Sequence, residues 1–226
     1  MKAKALVVVG VLMLAVIGGC GWFGTKEEKP APVLAREGIE AFQGGDYRDA
    51  IESFETLKDW YPFSKYAILA ELKIADAHYH LAEYGEAVFG YEEFENLHPR
   101  NEAIPYVIYQ IGRCYYDQID TIDRDQSTAR KALETFQRLT KKFPKDAYSL
   151  KARSHIIKCQ KSLAANDLYV GRFYYKSGHF KAALFRFKSV LRNYPDVGVH
   201  YEALQYIALC EAVLKTQAHA AETPEK

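Results

Sequence analysis

One spacing of small, aromatic and apolar positions recurs four times along the chain. In each copy an alanine is followed by an aromatic residue four positions later, an apolar residue three further on, and a proline five beyond that. Residues at the first three of these positions share one face of a helix, and the proline ends the helix. The four alanines are Ala50, Ala87, Ala132 and Ala183. A second helix-like segment precedes each copy, so the pattern predicts an all-α chain of stacked helix pairs.

The spacing within each pair resembles the tetratricopeptide repeat, a helix–turn–helix of about 34 residues. With the recurrent alanine as position 20, a small residue falls at position 8 in three repeats, namely Gly38, Ala75 and Gly171. In the third repeat Gly112 has the same place in the first helix, and Ala132 follows eight residues late. The expected fold is therefore a right-handed tetratricopeptide solenoid over residues 33–216, with about four helix pairs and a terminal helix. The repeats are predicted at 33–65, 66–101, 103–145 and 164–197, with a helix at 147–163 and a final helix at 199–216.

Two segments depart from the minimal repeat. In the third repeat, residues 117–125 form an acidic insertion before Ser127, which is predicted to cap the following helix. Residues 147–176 contain no strong helix breaker, so they are compatible with one long helix.

The start of the chain has the features of an export signal. Residues 1–19 combine Lys2 and Lys4 with a 15-residue apolar run, and small residues stand immediately before Cys20. This arrangement resembles the bacterial lipobox, in which the cysteine becomes the first mature residue and carries diacylglycerol and an N-acyl chain. An ordinary cleaved signal or a short membrane anchor is the alternative. Residues 20–32 are expected to form a flexible lipidated tether and residues 217–226 a disordered tail.

Charge is unevenly divided along the mature chain. Residues 20–120 carry 9 Lys and Arg against 19 Asp and Glu, whereas residues 121–226 carry 19 against 10. Because a solenoid keeps sequence order as spatial order, we expect an acidic end and a basic end. Complementary fields of this kind orient docking partners. Two solvated faces that differ by chance are the alternative, and nucleic acid is a poor partner for an exported chain.

Nothing in the sequence predicts an enzyme. No nucleophile elbow, glycine-rich phosphate loop or HExxH motif is present, so catalytic and metal-binding residues are predicted to be absent, as is any cofactor other than the lipid on Cys20. Cys114, Cys159 and Cys210 lie in apolar helical segments and no CxxC motif is present, which favours buried single thiols over a redox or metal role.

The first helix of each tetratricopeptide pair is expected to line a concave surface. The positions that face inward are rich in aromatic residues with arginines among them, a composition that suits an extended peptide with aromatic side chains and a carboxylate. The alternative is that half of these tyrosines pack between helices. The candidate peptide-binding residues are Phe42, Tyr79, His80, Tyr109, Arg113 and Tyr116.

Four longer motifs, in their order along the chain, resemble the BamD family of outer-membrane β-barrel assembly lipoproteins. They are Tyr61-Pro62-Phe63-Ser64-x-Tyr66, Asp123-Arg124-Asp125 before Ala129-Arg130, Phe143-Pro144-x3-Tyr148, and the run from Val170 to Phe187. The resemblance implies a non-enzymatic periplasmic scaffold, lipid-anchored to the outer membrane of a Gram-negative bacterium.

The resemblance also implies partners. The amino-terminal repeats would receive the aromatic-ended signal of unfolded β-barrel substrates, and the carboxy-terminal repeats would dock on the POTRA domain of a BamA-like protein, with other Bam lipoproteins as possible neighbours. Arg186 matches an arginine that family members use for docking. The candidate docking residues are Asp123, Arg124, Asp125, Arg172, Tyr175 and Arg186. The rival interpretation is another tethered repeat scaffold, such as a secretin pilotin or a Tol-associated adaptor.

Overall fold

The computed structural model describes residues 28–222, and every regular element in that range is a helix. We number the helices α1 to α9 in chain order. Their bounds are α1 Ala31–Gly44, α2 Tyr47–Trp60, α3 Lys65–His80, α4 Tyr84–Leu97, α5 Ile104–Tyr116, α6 Ser127–Lys142, α7 Ala147–Lys176, α8 Phe180–Asn193 and α9 His200–Glu222.

The recurrent apolar face holds each helix pair together. Ala50, Phe54 and Leu57 are fully buried on α2, and the equivalent residues of α4, α6 and α8 are buried in the same way. In three pairs the ring of the aromatic residue lies directly against the glycine of the preceding helix. A Cβ atom on Gly112 would stand 2.5 Å from the ring of Phe136, so the helices could not approach as closely with any other residue there.

The helix pairs stack in sequence order. Extensive contacts join each helix to its neighbours along the chain, and the leading helices also touch across pairs, α1 with α3 and α5 with α7. Three apolar clusters follow one another along the stack, centred on Phe54, on Tyr91 with Phe136, and on Phe187. This arrangement is a stack of pairs rather than a closed bundle, and it confirms the predicted all-α repeat fold.

Helix α7 is one continuous helix of 30 residues. Asp146 caps its N-terminus, since the Oδ1 atom accepts a hydrogen bond from the backbone N–H of Tyr148 at 2.7 Å. Its first half packs against α5 and α6, and its second half packs against α8. The helix therefore joins the third and fourth repeats without a break.

Three local expectations differ from the structure. Helix α1 begins at Ala31 rather than after Pro32, because proline is accommodated in the first helical turn. Ser127 is the first residue of α6 rather than its cap: its backbone N–H donates to Oδ2 of Asp125 at 3.0 Å. Helix α9 continues to Glu222, six residues past its predicted end, because Ala218 and Ala220 favour a helix even without packing partners.

Several predictions fall outside the described residues. These are the signal peptide at 1–19, the lipid on Cys20, the tether up to residue 27 and the tail from residue 223. Within 28–222, none of the helices combines the length and the apolar character needed to cross a bilayer.

Candidate functional site

An aromatic cluster lies where the first two repeats meet. We define it by five residues, Phe42, Tyr47, Tyr79, His80 and Tyr84. The imidazole of the exposed His80 stacks on Tyr47 with ring centroids 4.7 Å apart and planes 5° from parallel. Phe42 meets both of these rings edge-on, at 5.3 Å and 5.5 Å. Tyr79 connects the pair to Tyr84 through edge contacts.

A polar clamp borders this cluster on the side of α5. The hydroxyl of Tyr79 donates to Oδ2 of Asp117 at 2.6 Å and accepts a hydrogen bond from the guanidinium of Arg113 at 2.8 Å. Arg113 also pairs with Asp117 at 3.0 Å. Burial and the hydrogen bond to Asp117 raise the pKa of Tyr79, so its hydroxyl stays protonated. The clamp fixes Arg113 while leaving its side chain partly exposed.

The prediction that Tyr109 belongs to the peptide-binding residues is wrong, because its side chain is buried. It is only 8% exposed and packs against Phe136, Tyr148 and His155. Tyr148 and His155 belong to the first half of α7, which covers the face that the repeat pattern assigned to solvent. Tyr116 is half-buried by the same helix, in edge contact with His155 at 4.6 Å.

Sequence reasoning missed Tyr47 and Tyr84 as members of the cluster. Both occupy position 17 of their repeats and meet the aromatic residue at position 12, as Phe180 also meets Tyr175 at 5.5 Å. The signal was present in the sequence, because an aromatic residue three positions before the recurrent alanine appears in three of the four repeats.

A second site lies between the third-repeat insertion, α7 and α8. It is a pocket of about 520 Å³ lined mainly by polar side chains. We call it the arginine pocket, because four arginines line it together with two aspartates. These six residues are Arg124, Arg130, Arg186, Arg192, Asp125 and Asp167. The structure thus brings three predicted docking residues, Arg124, Asp125 and Arg186, to one place. Such a site attracts carboxylates, since guanidinium groups bind them with paired hydrogen bonds.

Hydrogen bonds fix both walls of the arginine pocket. On the helical wall, Arg186 donates to Oδ1 of Asp167 at 2.9 Å, and the hydroxyl of Ser189 donates to Oδ2 at 2.8 Å. On the loop wall, Gln126 donates to the carbonyl oxygens of Thr121 and Arg124, at 3.0 Å and 3.1 Å.

The other three predicted docking residues lie elsewhere. Arg172 pairs with Glu202 of α9 at 3.1 Å, and Tyr175 makes an edge contact with Tyr206 of the same helix at 5.3 Å. Asp123 is exposed on the insertion and does not line the pocket. Arg172 and Tyr175 therefore connect α7 to the last helix instead of extending the arginine pocket.

The three cysteines of the described segment are buried and unpaired, as predicted. Burial raises the pKa of the Cys114 and Cys159 thiols to about 12, and that of Cys210 above its usual value. Thiols that remain protonated are poor nucleophiles and poor metal ligands.

Sequence comparison connects this architecture to known proteins. The YfiO family model, described as outer membrane lipoprotein, matches residues 27–226. The outer membrane protein assembly factor BamD of Rickettsia prowazekii is 33% identical over 203 residues, which cover 89% of this chain and 79% of the relative. BamD of Caulobacter vibrioides is 30% identical over 215 residues, or 93% and 70% of the two chains. BamD of Vibrio cholerae is 27% identical over 226 residues, or 92% and 94%.

Among solved structures, the chain resembles the TPR2AB domain of yeast Sti1 in its pHSP90 complex. The TM-score is 0.51 at 16% identity, with 82% of this chain and 71% of the other covered. At this identity the likeness concerns the fold alone. With a family model that spans all of the described residues and relatives matched over most of their length, the chain belongs to the YfiO/BamD family of outer-membrane lipoproteins.

Proposed function

We propose that this protein is a non-enzymatic scaffold for the assembly of outer-membrane β-barrel proteins. The observation that carries the proposal is the separation of two unlike sites along one continuous stack of helix pairs. An aromatic cluster lies in the acidic amino-terminal repeats, and an arginine pocket lies in the basic carboxy-terminal repeats. An adaptor between two partners needs this arrangement, whereas an enzyme needs one convergent site.

The aromatic cluster is the proposed site for unfolded barrel substrates. The stacked pair of Tyr47 and His80 offers ring faces and edges to an aromatic-ended peptide, and each aromatic contact contributes about 0.5–1.5 kcal/mol beyond area burial. Arg113, held by Tyr79 and Asp117, stands beside the rings as a partner for a carboxylate.

Replacing the stacked pair tests this site. We expect the double variant Tyr47→Ala, His80→Ala to bind a barrel-derived peptide with an aromatic terminus about tenfold more weakly, because two ring contacts are lost. Fluorescence anisotropy with a labelled peptide measures the change. Tyr169→Ala is the matched control, since Tyr169 is 42% exposed on α7 and lies outside the cluster. Equal affinities for the double variant and the control would remove the cluster from the binding site.

The arginine pocket is the proposed docking site for the periplasmic POTRA region of a BamA-like partner. Arg186 carries a side chain that is 40% exposed and already oriented by Asp167. An acidic side chain of the partner can therefore pair with Arg186 and with the arginines on the facing wall.

A charge reversal at Arg186 tests the docking site. We expect Arg186→Glu to weaken binding of the BamA periplasmic region at least thirtyfold, because truncation of a buried charge pair costs about 2–5 kcal/mol and reversal adds repulsion. Lys188→Ala, on the same helix but outside the pocket, serves as the control. An unchanged dissociation constant measured by calorimetry for Arg186→Glu would exclude Arg186 from the interface.

Membrane attachment through an acylated Cys20 completes the proposal. Intact-mass analysis of protein extracted from membranes tests acylation, and an unmodified mature mass would refute it. A pull-down from detergent extracts tests the partner: recovery of a BamA-like protein supports the scaffold role, whereas recovery of a secretin without it would favour the pilotin interpretation.

A further inference from the structure

Asp167 is a buried carboxylate to which the repeat pattern assigns no role. It lies on α7, is 6% exposed, and uses both oxygens, one for Arg186 and the other for Ser189. The Ser189 hydroxyl in turn accepts a hydrogen bond from Asn193 at 2.9 Å. Burying a carboxylate is costly unless it is paired and hydrogen-bonded, so this network has one favourable arrangement. Arg186 is held in that arrangement.

An arginine held in this way binds a partner at a lower entropic cost. A free arginine on a helix surface loses rotamer entropy when a partner immobilises it. In this protein the Arg186 side chain is already ordered by Asp167 on one side, while 40% of it stays accessible on the other. Folding has therefore already ordered the Arg186 side chain, so that partner binding loses less conformational entropy.

The opposite wall is fixed by a different residue. Gln126 is 5% exposed, and besides donating to the carbonyl oxygens of Thr121 and Arg124 it accepts a hydrogen bond from Ser162 of α7 at 3.0 Å. Asn166, the neighbour of Asp167, donates to the carbonyl oxygen of Ile122 at 2.6 Å. The insertion is thus attached to the same turn of α7 that holds Arg186.

We propose that Asp167 and Gln126 are positioning residues for partner docking. Asp167 orients the side chain of Arg186, and Gln126 orients the backbone of Arg124. The guanidinium groups of these two arginines then lie on facing walls of the arginine pocket. This inference rests on the proposed function of the arginine pocket as the docking site, and it assigns to the third-repeat insertion the task of forming half of that site.

Two effects of the Asp167 charge must be separated. Its negative charge offsets part of the positive field of the pocket, so its removal would strengthen long-range attraction of an acidic partner, an effect that salt screens. Loss of positioning weakens binding at every salt concentration. Asp167→Asn keeps the shape and removes the charge, whereas Asp167→Glu keeps the charge and displaces the carboxylate.

The experiment is a double-mutant cycle with the acylated full chain in detergent and the BamA periplasmic region. Calorimetry gives dissociation constants for Asp167→Asn, Asp167→Glu, Arg186→Ala and the combined Asp167→Asn, Arg186→Ala, each at low and at high salt. We expect about tenfold weaker binding for both Asp167 variants at either salt. The combined variant should bind no more weakly than Arg186→Ala alone, because Asp167 acts through Arg186.

The same cycle applies to the loop wall. Gln126→Ala should weaken binding in the natural chain and have no further effect in an Arg124→Ala background. Thermal unfolding of every variant separates loss of fold from loss of binding. Lys188→Ala should change neither the unfolding temperature nor the dissociation constant.

The outcomes are distinct. Unchanged binding by both Asp167 variants, tighter binding by Asp167→Asn alone, or additive losses in the combined variant would overturn the positioning role while leaving the docking site intact. Absence of binding by the natural chain would refute the proposed function itself, and this inference with it.

Discussion

At the scale of single residues, the helix pairs depend on rings that fill the space where a Cβ would stand. Three repeats place a phenylalanine against a glycine, Phe54 on Gly38, Phe136 on Gly112 and Phe187 on Gly171. In the second repeat the close approach of the two helices has a different basis. It has Ala75 at this position, and the facing helix has Gly90, whose absent side chain makes room for the alanine methyl group. Close approach is therefore preserved in every pair.

Substitution at Gly112 tests this packing. A Cβ there would lie 2.5 Å from Phe136, so we expect Gly112→Ala to destabilise the protein by about 1–3 kcal/mol despite the better helix propensity of alanine. Gly85 is the matched control, since it lies in α4 with nothing within 4 Å of a Cβ, and Gly85→Ala should be neutral or stabilising by up to about 1 kcal/mol. Chemical denaturation measures both values. Equal effects at the two positions would contradict the packing explanation.

The limits of sequence reasoning also show at single residues. The paired positions within a repeat, such as Ala50 with Phe54, could be predicted because one helix sets their spacing. The burial of Tyr109 could not, because it depends on where the first half of α7 lies against α5. The contact of Tyr47 with His80 joins two repeats, and a single-repeat pattern does not report it.

At the scale of elements, α7 and the insertion before α6 decide how the last two repeats are joined. The absence of a breaker in 147–176 made one long helix predictable, and the excess length of the third repeat made an insertion predictable. The attachment of the insertion to α7 was not predictable, because the hydrogen bonds of Gln126, Asn166 and Ser162 join segments distant in sequence.

The contact of α7 with α5 is expected to depend on pH through His155. Burial, followed by the nearby charges of Arg113 and Lys158, lowers the pKa of His155, although Asp117 partly opposes the shift. Its ring stacks on Phe136 at 5.1 Å, and Nε2 lies 3.2 Å from the Tyr109 hydroxyl. In the unfolded chain the pKa of histidine is about 6.5. The stability gained from neutral His155 is therefore present above that pH and is lost as the pH falls below it.

We accordingly expect the unfolding temperature of the natural protein to fall more between pH 7.5 and 5.5 than that of His155→Gln. The glutamine cannot gain a proton in this range, so the comparison isolates His155 from the other histidines. Circular dichroism melts at the two pH values measure the difference. Equal shifts for the two proteins would show that protonation of His155 does not oppose folding.

At the scale of the whole molecule, charge and chemistry divide along the stack. The acidic segment 20–120 carries the aromatic cluster, and the basic segment 121–226 carries the arginine pocket. Fixed helix-to-helix contacts connect the two, because each pair packs on the next. No residue belongs to both sites, as the proposed two-partner scaffold requires.

This division predicts that the two partners bind independently and respond differently to salt. Saturation with the BamA periplasmic region should change the dissociation constant of a barrel-derived peptide by less than about twofold, because coupling needs a two-state element that both sites bias. Raising the salt from about 0.15 M to 0.5 M should weaken docking at the arginine pocket more strongly than peptide binding at the aromatic cluster, because charge pairing is screened and ring contacts are not. Anisotropy titrations with and without the periplasmic region test both statements. Competition between the two ligands would mean that they share one surface, and the two-ended scaffold would then have to be abandoned.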